Sequence, residues 1–264
     1  MKFALIAGSE SGLAKAAIDT FDSDWFLFCA DIAYKETEAF HGRINIPLDV
    51  TSNDSLMALR DVIFQMTDTL DIVTCFAGIV TLGSMVELPM DTMDRIMSVN
   101  FLSQFKINNL MFPLLEKAGG RVITISSEYG KLDALPIHGY YGVSKHAVEA
   151  YSDSLRRELQ KSGVKVTAIR PGAFKTNMQG GITRQFDELL ESTKMYRRIL
   201  TLLRGLMVGE LEKAKDPKIF GRTFEKAAFS RKPKRYYRVN NSFKMKLLSA
   251  LPPSWQDFIY RIFL

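Results

Sequence analysis

Cysteine and histidine are scarce in this chain, which carries two cysteines and three histidines in 264 residues. Cys29 and Cys75 lie inside the apolar runs 26–30 and 72–76, so both thiols are expected to be buried and reduced. Two such thiols fit a reducing cytoplasm and exclude a disulfide scaffold. His41, His138 and His146 form no ligand spacing with them, so no metal site is expected. Long apolar runs are missing as well. No stretch approaches the roughly 18–20 uninterrupted apolar residues of a spanning helix. The first run, residues 3–7, is cut short by Gly8-Ser9; it reads as a buried strand and is too brief for a signal peptide. The body of the chain also lacks excess positive charge. Residues 1–212 hold 22 Lys/Arg against 26 Asp/Glu, whereas residues 213–264 hold 13 against 3 and produce the overall +6. An acidic body argues against nucleic acid as a partner. The basic tail leaves open contact with an anionic surface such as membrane lipid.

Apolar residues make up 47% of the chain, enough for a sizeable core, so a disordered chain is excluded. Strands read at about 2–7, 25–30, 43–48, 71–76, 121–126 and 164–169, with helices at about 12–21, 53–67, 89–117 and 140–162. This alternation predicts an α/β fold, a doubly wound parallel sheet flanked by helices. No repeat or linker interrupts it before residue 175. Beyond that point the pattern changes to helices at about 184–207 and 216–229, a short strand at 235–239 and an apolar ending. The expected organisation is one domain over 1–264, with a lid region at 177–212 and a helical C-terminal extension at 240–264.

The first strand runs into Gly8-Ser9-Glu10-Ser11-Gly12-Leu13-Ala14, and a helix follows. Glycines at a strand-to-helix turn let backbone approach a pyrophosphate, and the helix N-terminus supplies amide hydrogens and partial positive charge. A plain tight turn would look the same. The second strand adds weight, because it ends in Asp31, where a carboxylate can accept both ribose hydroxyls of an adenosine. The same carboxylate repels a 2′-phosphate, and Ser11 and Ile32 offer no compensating cation. The pattern therefore favours NAD(H) over NADP(H).

Tyr141 and Lys145 stand at i and i+4 at the start of a predicted helix, on one face. A tyrosine with a pKa near ~10 is a poor proton shuttle at neutral pH. A neighbouring ammonium favours the phenolate and makes it a better one. The preceding strand ends at Ser127, at the sheet edge where ligands bind in open α/β folds, and its hydroxyl can hydrogen-bond a substrate oxygen.

Taken in order, Gly8-x3-Gly12-x-Ala14, Asp31, Asp49-Val50, Ala77-Gly78, Asn100, Ser127, Tyr141-x3-Lys145 and Pro171-Gly172-x3-Thr176 closely resemble the motif series of the short-chain dehydrogenase/reductase family. The resemblance spans about residues 2–176 and implies a Rossmann-type fold, an alcohol/carbonyl reaction with NAD, and a homo-oligomer, dimer or tetramer. It also implies individual roles. Asn100 would hold a water linking Lys145 to solvent, and Asp49 and Val50 would flank the adenine. Ala77 and Gly78 would belong to the cofactor site, and Pro171, Gly172 and Thr176 would contact the nicotinamide end.

Three departures stand out. Ala14 replaces the last glycine of the phosphate loop. Phe76 replaces the asparagine of the family's Asn-Ala-Gly, removing an amide that braces the sheet. Ser127 lies one residue farther from Tyr141 than is usual, which puts Tyr140 at the usual spacing. Tyr141 remains the choice because only it has a lysine four residues on. Tyr140 is expected to be a pocket wall, and Ser126 to face away from the site.

Residues 177–208 are dense in apolar side chains, including Met178, Phe186, Leu189, Leu190, Met195, Tyr196, Ile199, Leu202, Leu203, Leu206 and Met207. Ordinary amphipathic packing accounts for most of them, yet methionines and aromatics at an entrance suit a lipophilic ketone or alcohol. Residues 233–239 and the basic-apolar stretch from Lys244 are similar to the tails of hydroxysteroid and retinol dehydrogenases. From Ser254, the residues Trp255, Phe258, Ile259, Ile262 and Phe263 form one apolar helical stripe. That stripe can pack on its own subunit, on a second subunit or on lipid. Competing functional classes are another reaction on the same fold and a non-catalytic NAD(H)-binding sensor or scaffold.

Overall fold

The computed structural model describes residues 1–133, 135–198, 200–201, 204–205, 209 and 213–263. Five short apolar runs form parallel neighbours: β1 (Lys2–Ala7), β2 (Trp25–Asp31), β5 (Ile72–Cys75), β6 (Arg121–Ile125) and β7 (Lys165–Pro171). With β3 (Glu38–Phe40), β4 (Arg43–Pro47) and β8 (Tyr236–Val239) they build one sheet in the order β3-β4-β2-β1-β5-β6-β7-β8. Among the described residues only the β3–β4 pair is antiparallel. The sequence reading missed β3 because all three of its residues are exposed at the sheet edge, so no apolar run marks it.

Side-chain alternation along each strand feeds two cores. Leu5, Ala7, Phe28 and Ala30 face α2 (Asn53–Met66), α4 (Ser103–Ala118) and the far part of α5 (Gly139–Glu158). Ala4, Ile6, Leu27 and Cys29 face α1 (Gly12–Ile18) and α7 (Lys218–Phe229). Both cysteines are buried free thiols. Further helices among the described residues are α3 (Asp91–Met97), α6 (Asn177–Ser192), α8 (Phe243–Leu248) and α9 (Pro253–Phe263).

The helix expected over 89–117 is broken into α3, a π-helical turn at Ser98–Leu102, and α4. Such a turn inserts one residue into the helical register and recurs at functional sites; here it carries the buried Asn100. The helix expected from residue 184 begins seven residues earlier and stops at Ser192, where Thr193 turns extended and donates its hydroxyl to Glu87 at 2.7 Å. Strand order reverses direction around β1, so the C-terminal ends of β1 and β5 open onto a crevice.

Candidate active site

The nucleotide end forms where β1 and β2 finish. Gly8 has φ +71°, a left-handed conformation that favours glycine, and a Cβ there would collide with the backbone of Ala77. The phosphate loop thus rests directly on the Ala77-Gly78 loop. A Cβ at Gly12 would lie 2.8 Å from the methyl of Thr176, so the third expected contact loop is also adjacent. Ser11 caps α1: its hydroxyl accepts from the Ala14 amide at 3.2 Å and its carbonyl from Lys15 at 3.0 Å. The Gly12 and Leu13 amides, which have no intrahelical acceptor at that position, are the donors available to a pyrophosphate.

Asp31 is buried at the end of β2, and each carboxylate oxygen accepts one backbone amide, from Glu10 at 2.9 Å and Ala33 at 2.9 Å. It therefore caps the loop and still keeps an acceptor lone pair on each oxygen for ribose hydroxyls. The residues present fit a dinucleotide. Asp49 stands one strand over, accepting from the Thr51 amide at 2.8 Å and hydroxyl at 2.7 Å, and these bonds hold its carboxyl below the ordinary range. Val50 packs on the core beside it.

Sequence reasoning missed a second acid here. Glu10 forms an ion pair with Lys15 at 2.7 Å and accepts from the Tyr34 hydroxyl at 2.8 Å. Both contacts depress its pKa, so it stays ionised beside Asp31. Pairing across 24 residues leaves no periodic signal in a sequence.

At the other end, α5 presents Tyr141 and Lys145 below the end of β6. Lys145 is buried, its Nζ donating to the Ile125 carbonyl at 3.2 Å and lying 5.8 Å from the Tyr141 ring centre. Burial pushes its pKa down to about 8. Burial pushes the Tyr141 hydroxyl up; Ser127 beside it draws the pKa down, the Glu128 charge adds to the rise, and the net direction is up. The expected drop toward a ready phenolate is therefore not a property of the protein alone. Desolvation wins because the lysine is held away at Ile125.

Tyr140 is buried and donates its hydroxyl to the Met85 carbonyl at 3.2 Å. Ser126 is buried against Gly130, apart from Ser127. Asn100 clamps the next loop: it accepts from the Ile79 amide at 2.8 Å and donates to the Ile79 carbonyl and the Ser144 hydroxyl, both at 2.9 Å. Its side chain is thus committed to bracing. Its own carbonyl accepts from the buried Gln104 amide at 2.9 Å and keeps a second lone pair for a water. A Cβ on Gly78 would sit 3.5 Å from Asn100 Oδ1 and 3.8 Å from Lys145 Nζ, so Gly78 floors the space between the two ends.

Phe76, in place of the family's amide, joins an aromatic cluster with Phe220 (5.8 Å between ring centres) and Phe224 (5.9 Å). The strand end is braced by packing onto α7 where a hydrogen bond is lost. Pro171 ends β7, and the amide of the next residue, Gly172, donates to the Val239 carbonyl at 2.9 Å.

In the segment expected to be a lid, Phe186, Leu189 and Leu200 pack with Leu82, while Met178 and Met195 are exposed. Leu190 and Tyr196 are partly buried against the same cluster. Gln185 ties α6 to the loop after β5, donating to the Val80 carbonyl at 3.0 Å and accepting from the Leu82 amide at 3.1 Å. Ile199, Leu202, Leu203, Leu206 and Met207 lie outside the described residues. No cluster of His, Cys, Asp and Glu able to hold a metal occurs among the described residues.

Comparison with known proteins gives one consistent result. The short chain dehydrogenase family model matches residues 2–187. A probable short-chain type dehydrogenase/reductase VdlC of Helicobacter pylori is 29% identical, over 82% of this chain and 80% of its own length. Retinol dehydrogenase 7 of Mus musculus is 32% identical and human 17-beta-hydroxysteroid dehydrogenase type 6 is 30% identical, each over 73% of this chain and 63% of the relative. The chain thus spans a little under two thirds of those two proteins. Among solved structures, a short chain dehydrogenase/reductase from Saccharomyces cerevisiae superposes with a TM-score of 0.74 at 21% identity, covering 98% of this chain and 99% of that one. A short chain dehydrogenase from Burkholderia cenocepacia, in complex with NADP, gives 0.73 at 14% identity with full coverage of both. These two likenesses show the Rossmann-type fold.

Proposed function

Because the chain belongs to the short-chain dehydrogenase family, we propose that it is an NAD(H)-dependent oxidoreductase interconverting a secondary alcohol and a ketone on a lipophilic, steroid- or retinoid-like substrate. The observation that carries this reading is the grouping of Tyr141 with Ser127 beside it and Lys145 Nζ 5.8 Å from its ring centre, at the strand ends that also carry the glycine turn and Asp31.

Bound NAD(H) would accept or supply the hydride. The chain's own residues do the rest. Ser127 holds the substrate oxygen, and the Tyr141 hydroxyl exchanges the proton with that oxygen. A cationic Lys145 released from Ile125 toward Tyr141 lowers the cost of the phenolate. Asn100 braces the Ile79 loop and leaves its carbonyl to water, giving the proton a route onward. Asp31, with Glu10 behind it, receives the adenosine ribose and repels a 2′-phosphate. Lipophilic preference is supported by the apolar lid and by the identity of the retinol and hydroxysteroid dehydrogenase relatives.

The test is purified protein with NAD⁺ or NADH against steroids, retinoids and small alcohols and ketones. Tyr141→Phe should bind NADH normally and lose turnover by about a hundredfold or more, the scale of a general acid–base group. Full activity in that variant with Tyr140→Phe inactive would move the assignment by one residue.

A further inference from the structure

The last helix of the described chain faces the wrong way for ordinary packing. Most of its apolar stripe points to solvent: Trp255, Phe258 and Ile262 are 64%, 62% and 63% exposed, while Ile259 is half-buried. The inward residue is Gln256, 5% exposed, donating to Asp133 Oδ2 at 2.6 Å and to the Leu251 carbonyl at 2.9 Å. On α8, Phe243 and Leu247, one turn apart, are also exposed. Packing of the stripe on its own subunit is thereby overturned for these side chains; Phe263 lies outside the described side chains.

We propose that α8 and α9 dock on an anionic lipid surface. Residues 231–261 hold eight Lys/Arg (Lys246 and Arg261 among them) against the single acid Asp257. The exposed Lys244, Lys246 and Arg261 stand on the same two helices as these large aromatic and aliphatic side chains, so apolar burial and attraction to anionic headgroups can act together. A second copy fits this face less well. A two-fold contact would set the same cations against themselves, with Asp257 as the one carboxylate that the arm itself carries to offset them.

The placement has a functional side, which rests on the proposed activity. The arm lies on the segment that follows Ser127: the Ser242 amide donates to Glu128 at 2.7 Å and the Asp133 amide to Ser249 Oγ at 3.1 Å. A docked arm holds the substrate entrance beside the lipid phase, where lipophilic alcohols and ketones are concentrated.

Full-length protein is floated with phosphatidylcholine vesicles, with and without phosphatidylserine, and its mass in solution is measured alongside. It should float only with phosphatidylserine, less so at high salt. Trp255→Ser/Phe258→Ser should abolish flotation, while Lys246→Gln and Arg261→Gln should each weaken it about fivefold, the effect expected per basic residue near such a surface. Turnover of a water-soluble substrate should stay unchanged in all of these variants. Tyr141→Phe should float like the wild type, which separates this proposal from the assignment of the activity. Failure of the wild type to float, or undiminished flotation of Trp255→Ser/Phe258→Ser, overturns it. A dimer that this double variant converts to monomer, without lipid binding, would assign the face to a second copy instead.

Discussion

Glu149 is the residue whose neutralisation should be felt most by the folded scaffold. It sits one turn beyond Lys145 on α5, and its carboxylate accepts two hydrogen bonds from Arg170 on β7: Nε at 2.8 Å and Nη2 at 2.7 Å. The two side chains are 3% and 5% exposed, so neither charge has water to fall back on. The Arg170 guanidinium also stacks on Tyr236, 3.8 Å from the ring centre. Glu149→Gln leaves that cation buried with its electrostatic partner gone, at a cost of roughly 3–5 kcal/mol. With a urea slope of about 2 kcal/mol per molar, the midpoint should fall by roughly 1.5–2.5 M. The double variant Glu149→Met/Arg170→Met removes both charges and should recover most of the loss, because apolar replacement of a buried pair is often neutral. Urea titration followed by circular dichroism measures all three proteins. A midpoint for Glu149→Gln within about 0.3 M of the wild type, well below the smallest expected shift, would refute the reasoning. A double variant no better than the single one would show that the pair itself, and not the orphaned charge, sets the stability.

Two further predictions concern charge at the ends of the site. Lys145 has a folded pKa of about 8 against 10.5 unperturbed, so between those values the unfolded chain binds more protons and stability rises with pH. The burden below pH 8 is on the order of 3 kcal/mol. Lys145→Met should flatten that rise when urea midpoints at pH 7 and 9.5 are compared, a range that stays below the titration of Tyr141; parallel slopes would contradict it. At the other end, Asp31→Ala and Glu10→Ala should each narrow the preference for NAD(H) over NADP(H) by about tenfold, the effect of ~1.4 kcal/mol of repulsion. The double variant should narrow it further. Equal use of both cofactors by the wild type, measured as kcat/KM, would remove the basis for both.

The fold was legible because buried parallel strands are continuous apolar runs, and 2–7, 25–30 and 121–126 differ from β1, β2 and β6 by a residue at most. Tyr141 and Lys145 were visible because helical spacing alone puts them on one face. What stayed hidden depends on contacts between distant positions. The exposed β3 carries no apolar signal, and the π-turn at Asn100 is a change of hydrogen-bond partner that residue types do not encode. Glu10 with Tyr34, and Glu149 with Arg170, are polar pairs joined only by the folded sheet. The apolar stripe of α9 was read correctly as a stripe. Its direction was not readable, because a single buried glutamine, Gln256, sets which side faces inward.

Gly172 ties the two ends of the chain's chemistry together. A side chain there would strike the Asn240 carbonyl, and the Asn240 amide in turn holds Ala173 at 2.6 Å. Asn240 itself adopts φ +54°, the bend from which the chain leaves β8 for α8. The loop proposed to contact the nicotinamide and the root of the arm proposed to dock on lipid therefore meet at one tightly packed joint. A tilt of the arm as it settles on a surface cannot be absorbed there; it must pass into the floor of the reaction site or be resisted by it. In such a molecule attachment and turnover share a lever, and the activity of the bound enzyme becomes sensitive to the angle at which it lies.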